Sequence, residues 1–181
     1  MKGAVDGDAS LVRRCRNGDR SAFEDLVVRY QKPVFNVALR LLRDPDEARD
    51  IAQTTFLKAF EHLADYDPNF RFYSWLYRIA INESLSTRSA RRPVEDVSDE
   101  EEDESPGPER CVEEDETRQA IEGALMKIKP ELQAVVVLRH FMHLSYQDMS
   151  QILQVPEKTV KSRLYSARQL LRERLLQHAT S

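Results

Sequence analysis

Near the C-terminal end, Lys158, Thr159, Lys161, Ser162, Arg163, Tyr165, Ser166 and Arg168 gather cations and hydroxyls within a single short stretch. Such side chains can hold phosphates and touch base edges in a DNA groove. To do so they must stand together on the outer face of one helix, and the surrounding apolar pattern supplies that helix. Met149, Ile152, Leu153, Val155, Val160 and Leu164 fall where two short helices would face each other and a preceding one. Ser145 can cap the first helix, with Asp148 three residues on completing a capping-box-like pair. Pro156 or Glu157 opens the second, where the missing N–H of proline costs nothing. Two short helices joined by a tight turn, the second cationic outside, have the plan of a helix-turn-helix unit that reads double-stranded DNA. Gln154 occupies the turn position where such units usually carry glycine. A left-handed backbone there costs a non-glycine residue about 1 kcal/mol, so a turn of slightly different geometry is expected. Taken alone, the segment also fits an ordinary helical hairpin with a solvated charged face.

The 181 residues suit two small domains better than one medium domain. Between Val94 and Thr117 there are thirteen acidic residues and one basic residue, with Ser105-Pro106-Gly107-Pro108 in the middle and almost nothing apolar. Such a run repels itself and is expected to be a disordered linker. It accounts for minus twelve of a formal net charge of −4, so the remainder carries plus eight. About plus three lies in residues 1–93 and plus five in residues 118–181, a modest basic excess that suits a DNA binder acting with a partner.

Residues 9–92 carry helical patterns throughout. Asn17-Gly18-Asp19 ends a first helix, and Ser21 with Glu24 is expected to form a capping box for the next. Pro33 is expected to start or kink the segment through Val34, Val37, Ala38, Leu41 and Leu42. Asp44-Pro45-Asp46-Glu47 has an N-cap, proline at the first helical position and acids facing the helix dipole. That helix continues past Ile51, Ala52, Phe56, Leu57 and Phe60. After the loop Asp65-Tyr66-Asp67-Pro68-Asn69, a last helix begins at Phe72 and runs toward Arg88, Arg91 and Arg92. The expected fold is all-α: a four-helix N-terminal bundle and a C-terminal helix-turn-helix domain joined by the acidic linker.

Two groups in the bundle invite functional readings. Tyr66, Phe70, Phe72, Tyr73, Trp75 and Tyr77 are interleaved with Arg71 and Arg78, a composition suited to single-stranded nucleic acid, whose bases stack on rings while arginines hold phosphates. Trp75, Leu76 and Ile79 share a helical face and are expected in the core, whereas Tyr66, Phe70 and Arg71, in or beside the loop, fit either role. The polar stripe Asp46, Glu47, Arg49, Asp50, Gln53, Thr54 and Lys58 is either a docking surface or a solvated face. Cys15 and Cys111 are the only cysteines, without a metal-binding spacing, and His62, His140, His143 and His178 are scattered. No structural metal or cofactor is expected. Neither a signal-peptide core nor an apolar run of membrane length occurs. A cytoplasmic protein without membrane insertion is expected.

Taken together, these segments resemble the extracytoplasmic-function group of bacterial sigma factors, within the sigma-70 family. The resemblance is carried by Gly18-Asp19-Arg20-Ser21-Ala22-Phe23, by the block from Asp50 to Phe60, by the block from Phe72 to Asn82, and by Leu144 to Arg168, including Thr159-Val160-Lys161-Ser162-Arg163-Leu164. It implies a region 2-like domain at 1–93, a linker at 94–117 and a region 4-like domain at 118–181. By that resemblance Asp50, Gln53 and Phe56 would dock on the clamp helices of the largest subunit of core RNA polymerase. Asn82, with the loop from Asp65 to Phe72, would form the pocket for a base flipped from the downstream promoter strand, and Tyr66, Phe70, Arg71, Phe72 and Arg78 would join it. Lys158, Thr159, Lys161, Ser162, Arg163, Tyr165 and Arg168 would read the double-stranded upstream element. An anti-sigma factor would control the protein. Some positions depart from the pattern: Thr54 stands where glutamate is usual, Arg49 where a carboxylate is common, Lys158 for glycine and Ser166 for arginine.

The expectation is therefore a promoter-recognition factor with no catalysis of its own. No phosphate-binding glycine loop, metal cluster or nucleophile-base pair supports an enzyme. A free-standing repressor or activator is the alternative, and it would need a dimerisation helix or ligand domain that is not evident.

Overall fold

Residues 2–91 and 120–179 are described in a computed structural model of the chain, and every regular element among them is helical. Helix α1 (Lys2–Arg16) stops at Asn17-Gly18, where Gly18 adopts φ 90°, a left-handed value that glycine takes without strain. Helix α2 (Arg20–Leu42) is capped by Asp19, whose Oδ1 accepts from the Ser21 and Ala22 amides at 3.1 and 3.4 Å. The expected Ser21 capping box is thus displaced: Ser21 Oγ itself donates to Asp19 at 2.8 Å, and Arg14 holds the other Asp19 oxygen. Ser21 hydrogen bonding and Arg14 hold the Asp19 carboxyl below the usual carboxylate range.

Pro33 neither starts nor ends a helix, since α2 continues through it. A proline inside a helix loses one backbone bond at a cost of about 3 kcal/mol. Burial outweighs that loss, because Leu26, Tyr30, Val34, Val37 and Leu41 all face the core from α2, at about 1.5–3 kcal/mol for each large apolar side chain. Helix α3 (Pro45–Glu61) starts as expected, with Asp44 accepting from the Asp46 and Glu47 amides at 2.9 and 3.0 Å. A short 3-10 turn (Leu63–Asp65) and the loop lead to α4 (Phe72–Arg91), which packs on both α2 and α3.

The second half comprises α5 (residues 120–126), α6 (Pro130–Val136) running into a π-turn (Val137–Phe141), α7 (Tyr146–Leu153) and α8 (Glu157–Ala179). Ser145 caps α7 through the Asp148 amide at 3.1 Å, and its own Oγ donates to Asp148 Oδ2 at 2.6 Å. Gln154 takes φ 53° and ψ 42°. The turn therefore has the left-handed form, and the expected change of geometry does not occur. Met149, Ile152, Val160, Leu164 and Ala167 are buried between the helices, and their packing holds Gln154 there.

The two halves share one apolar core, and α4 packs on α7. A polar link crosses it: Arg88 of α4 donates to Gln133 Oε1 of α6 and to the Met126 and Ile128 carbonyls. Arg88 therefore serves the junction between the halves. The expected acidic linker, Val94 to Thr117, lies outside the described residues.

Candidate nucleic-acid and docking surfaces

The helix-turn-helix presents α8 outward. Lys158, Lys161, Ser162, Tyr165 and Arg168 are exposed, whereas Thr159 and Arg163 are half-buried. Tyr165 is 66 % exposed, unusual for so large a ring, and it projects from the recognition helix one turn beyond Lys161. Two cations bracket the Tyr146 ring, Arg139 at 4.9 Å and Lys161 at 5.3 Å from its centroid. Lys161 is also within 3.9 Å of Glu157, an exposed i,i+4 pair that a DNA phosphate can displace. Behind this face, Arg168 Nη2 lies 3.4 Å from His140 Nε2. Burial lowers the His140 pKa, and Arg168, Arg139 and His143 lower it further. Of the groups around His140 only Arg168 stood among the sequence-based candidates; the π-turn sets His140 against α8.

In the bundle, helical spacing puts Trp75, Arg78 and Asn82 on one face of α4, with Arg71 immediately before the helix. A cleft of about 390 Å³ opens there, lined by the loop residues Asp65, Tyr66, Asp67 and Phe70, by Ser74, Trp75 and Arg78 of α4, and by Ser150, Gln151 and Gln154 from the helix-turn-helix. Another hollow of about 520 Å³, between α1 and α2, involves none of these residues and is open to solvent.

The candidates for the downstream strand divide. Phe70 is 48 % exposed, Arg71 is exposed and Arg78 borders the cleft. Asn82 is exposed one turn further along α4 and does not line the cleft. Tyr66, which lines the cleft, and Phe72, by contrast, are 5 % and 2 % exposed, so neither ring offers an open face for stacking. Their rings pack on each other at 5.7 Å and on Trp75 at 5.4 and 5.8 Å, so their faces are already covered. Burial raises the pKa of Tyr66, whose hydroxyl donates to the Phe70 carbonyl and so shapes the loop. The loop has a further support that sequence reasoning missed. Arg16 of α1 donates to the Leu63 and Ala64 carbonyls at 3.1 Å, and to that of Tyr66. No local signal marks a contact spanning about fifty residues.

On α3, Asp50 and Gln53 are exposed and Phe56 is half-buried. Beside them Leu57 and Phe60 are 57 % and 52 % exposed, and Phe60 meets Phe23 of α2 edge-on at 5.1 Å. This apolar patch, rimmed by Asp50 and Gln53, was also missed. Its signal was available, because Ile51, Ala52, Phe56, Leu57 and Phe60 form too wide a stripe for one buried helix face. Lys58, from the same polar stripe, instead bonds Glu83 of α4 at 2.7 Å. Among the described residues no cluster of metal-ligating side chains occurs, and no helix is long and apolar enough to cross a membrane.

A helical bundle closed against a helix-turn-helix with a cationic recognition helix defines a DNA-binding protein of the transcription apparatus. Family comparison agrees, matching Sigma-70 region 2 at residues 26–93 and Sigma-70 region 4 at residues 118–171. The chain is 35% identical over 176 residues to the RNA polymerase sigma-H factor of Pseudomonas aeruginosa, covering 91% of each. It is 34% identical to the ECF RNA polymerase sigma-E factor of Escherichia coli K12, covering 91% of this chain and 92% of that one. The fold is similar to that of CnrH in its complex with the cytosolic domain of CnrY, with a TM-score of 0.74, 24% identity, and 97% and 99% of the two chains covered. It is also similar to the sigma factor RpoE of Bartonella quintana, solved with the anti-sigma factor NepR, with a TM-score of 0.66, 23% identity, and 84% and 96% covered. The chain belongs to the sigma-70 family, in its extracytoplasmic-function group. A free-standing repressor or activator is not favoured by any of these relationships.

Proposed function

We propose that the chain docks on core RNA polymerase, reads a double-stranded upstream promoter element with α8, and holds the melted downstream strand with the loop and α4. It carries out no catalysis itself and acts in the cytoplasm under an anti-sigma factor. The division is a region 2-like domain at 1–93, the acidic linker at 94–117 and a region 4-like domain at 118–181. The observation that carries this reading is the presence of two separate nucleic-acid-compatible surfaces, the cationic face of α8 and the Phe70/Trp75/Arg78 cleft with Arg71 exposed beside it, together with the exposed Leu57/Phe60 patch beside Asp50 and Gln53. Docking would lie on the clamp helices of the largest subunit, with Phe56, Leu57 and Phe60 supplying apolar area and Asp50 and Gln53 the polar rim. At the upstream element, Lys161, Ser162 and Tyr165 reach base edges, while Lys158 and Arg168 hold phosphates.

Downstream, a base extruded from the strand enters beside Phe70 and Arg78, with Asn82 contacting the strand further along α4. Run-off transcription with purified core polymerase and a library of promoter fragments tests the whole reading. The expected result is initiation that requires both this chain and core. DNA binding that is strong, sequence-specific and indifferent to core would contradict it.

A further inference from the structure

The downstream face of the bundle is already occupied by the protein itself. Arg71 donates to the Tyr73 hydroxyl at 2.8 Å, and the Asp148 carboxylate of α7 lies 3.7 Å from the same guanidinium. Tyr73 faces that carboxylate too. Burial raises its pKa, the Arg71 hydrogen bond lowers it, and hydrogen bonding to Asp148 raises it again. The Asp148 side chain is only 14 % exposed, while Arg71 remains 53 % exposed. A cation and a phenol converging on one half-buried carboxylate make the arrangement that would equally hold a backbone phosphate. Next to it, Ser150, Gln151 and Gln154 of the helix-turn-helix wall off the cleft that the loop and α4 form.

We propose that Arg71 and Tyr73 are a phosphate-holding pair for the single-stranded downstream DNA, and that in the free protein Asp148 fills it as a carboxylate stand-in, which keeps Ser150, Gln151 and Gln154 against the neighbouring cleft. This rests on the reading of the loop and α4 as the downstream-strand surface, and it adds Tyr73 to the DNA contacts and Asp148 as their competitor. The contact is built to yield. Ser74 Oγ and Gln151 Oε1 are buried at the cleft without a hydrogen-bond partner, so the closed interface carries unmet polar groups that opening would hydrate. A partly exposed ion pair is also weak, whereas a polyanion gains from counterion release. Meanwhile Lys158, Lys161, Tyr165 and Arg168 stay exposed in the closed form. The upstream element can therefore be engaged first, and strand opening then displaces Asp148.

The test uses the full chain and a fluorescein-labelled pool of randomised short single-stranded DNA, read by anisotropy, with small-angle scattering alongside. Asp148→Asn removes the charge but keeps an oxygen for Ser145. It should tighten strand binding about two- to fivefold, the range of an exposed ion pair, while Arg71→Ala and Tyr73→Phe weaken it. The radius of gyration of the unsubstituted chain should rise on saturation with the pool. If Asp148→Asn binds no tighter while Arg71→Ala still weakens binding, the competition is refuted and the strand-holding surface stands. If Arg71→Ala also binds like the unsubstituted chain, the surface itself is refuted. An unchanged radius of gyration at saturation overturns the closing role, whatever the variants do.

Discussion

Arg88 of α4 is buried against Gln133 of α6, and the same glutamine donates its Nε2 to the Arg40 carbonyl at 2.9 Å. One fully buried amide thus joins α2, α4 and α6. Around it, Arg40 stacks on Phe141 at 3.6 Å from the ring centroid, and Glu122 of α5 lies 3.5 Å from Arg43. The polar network fixes how the reading half sits on the bundle, because amides and guanidinium groups demand specific partners where apolar contacts alone would slide. The outer face of α8 lies away from the junction, and the α4 cleft lies along it.

Removing Arg88 should therefore cost stability rather than DNA recognition. Arg88→Ala leaves Gln133 Oε1 and two carbonyls without their charged donor in a buried site, a loss of about 2–3 kcal/mol. For a chain of this size that corresponds to a fall in Tm of roughly 4–12 °C. Calorimetry on the full chain checks it, and an unchanged Tm would show that the junction contributes little.

Core docking is expected to respond in the opposite way. Leu57 and Asp50 are exposed, so Leu57→Ser and Asp50→Lys should change folding stability by no more than about 0.5 kcal/mol. Leu57→Ser, in the apolar centre, should nevertheless weaken binding to core polymerase about tenfold or more, and Asp50→Lys, on the rim, should weaken it mainly by slowing association. Direct binding by surface plasmon resonance, with Tm measured in parallel, separates loss of docking from loss of fold. Full affinity in both variants would place the docking surface elsewhere.

His140 gives a pH dependence with a definite sign. Its folded pKa is depressed by burial and by Arg168, Arg139 and His143, so the unfolded chain binds its proton more readily. Its stabilising contribution is present above the ordinary histidine value of about 6.5 and is lost as pH falls through that value toward the lower folded one. Denaturation midpoints measured between neutral and mildly acidic pH should decline, and His140→Gln should flatten that decline. An identical slope in the variant would assign the pH dependence to other groups.

What the sequence could reveal followed the range of the signal. The Asp44-Pro45 start of α3 and the Ser145/Asp148 start of α7 depend on atoms within three residues, and both form as read. Asp19 and Ser21 are both capping residues two positions apart, and only the position of Arg14, which holds Asp19, decides between them. Pro33 does not start a helix, because a local breaker is overridden by the burial of α2 on either side of it. At the candidate site, the cations of α8 were legible from composition and helical spacing. The roles of Tyr66 and Phe72 were not, since a cluster of aromatics beside a loop does not reveal which rings turn inward; Arg16, from another helix, holds the loop that turns them. Gln133 carried no signal at all: a glutamine inside a helix looks like surface until the other half of the molecule arrives.

The recognition helix offers the most discriminating test. Lys161 is exposed near the amino-terminal half of α8, the part that enters a major groove, and a weak pair with Glu157 and the Tyr146 ring hold it back. Arg168 lies farther along, beside His140 and exposed, where it can meet the backbone of the duplex. A side chain bonded to a base edge contributes about 1–3 kcal/mol of discrimination at that base pair, whereas one bonded to phosphate adds affinity evenly and steepens the dependence on salt. Lys161→Ala should accordingly reduce transcription from the cognate promoter and relax selectivity at one upstream base pair. Arg168→Ala should weaken all promoters alike and lower the salt slope of binding by about one unit. Selection of promoter variants from a randomised upstream element, with binding measured over a range of salt, distinguishes the two. If both variants select and bind as the unsubstituted protein does, α8 is not the reader.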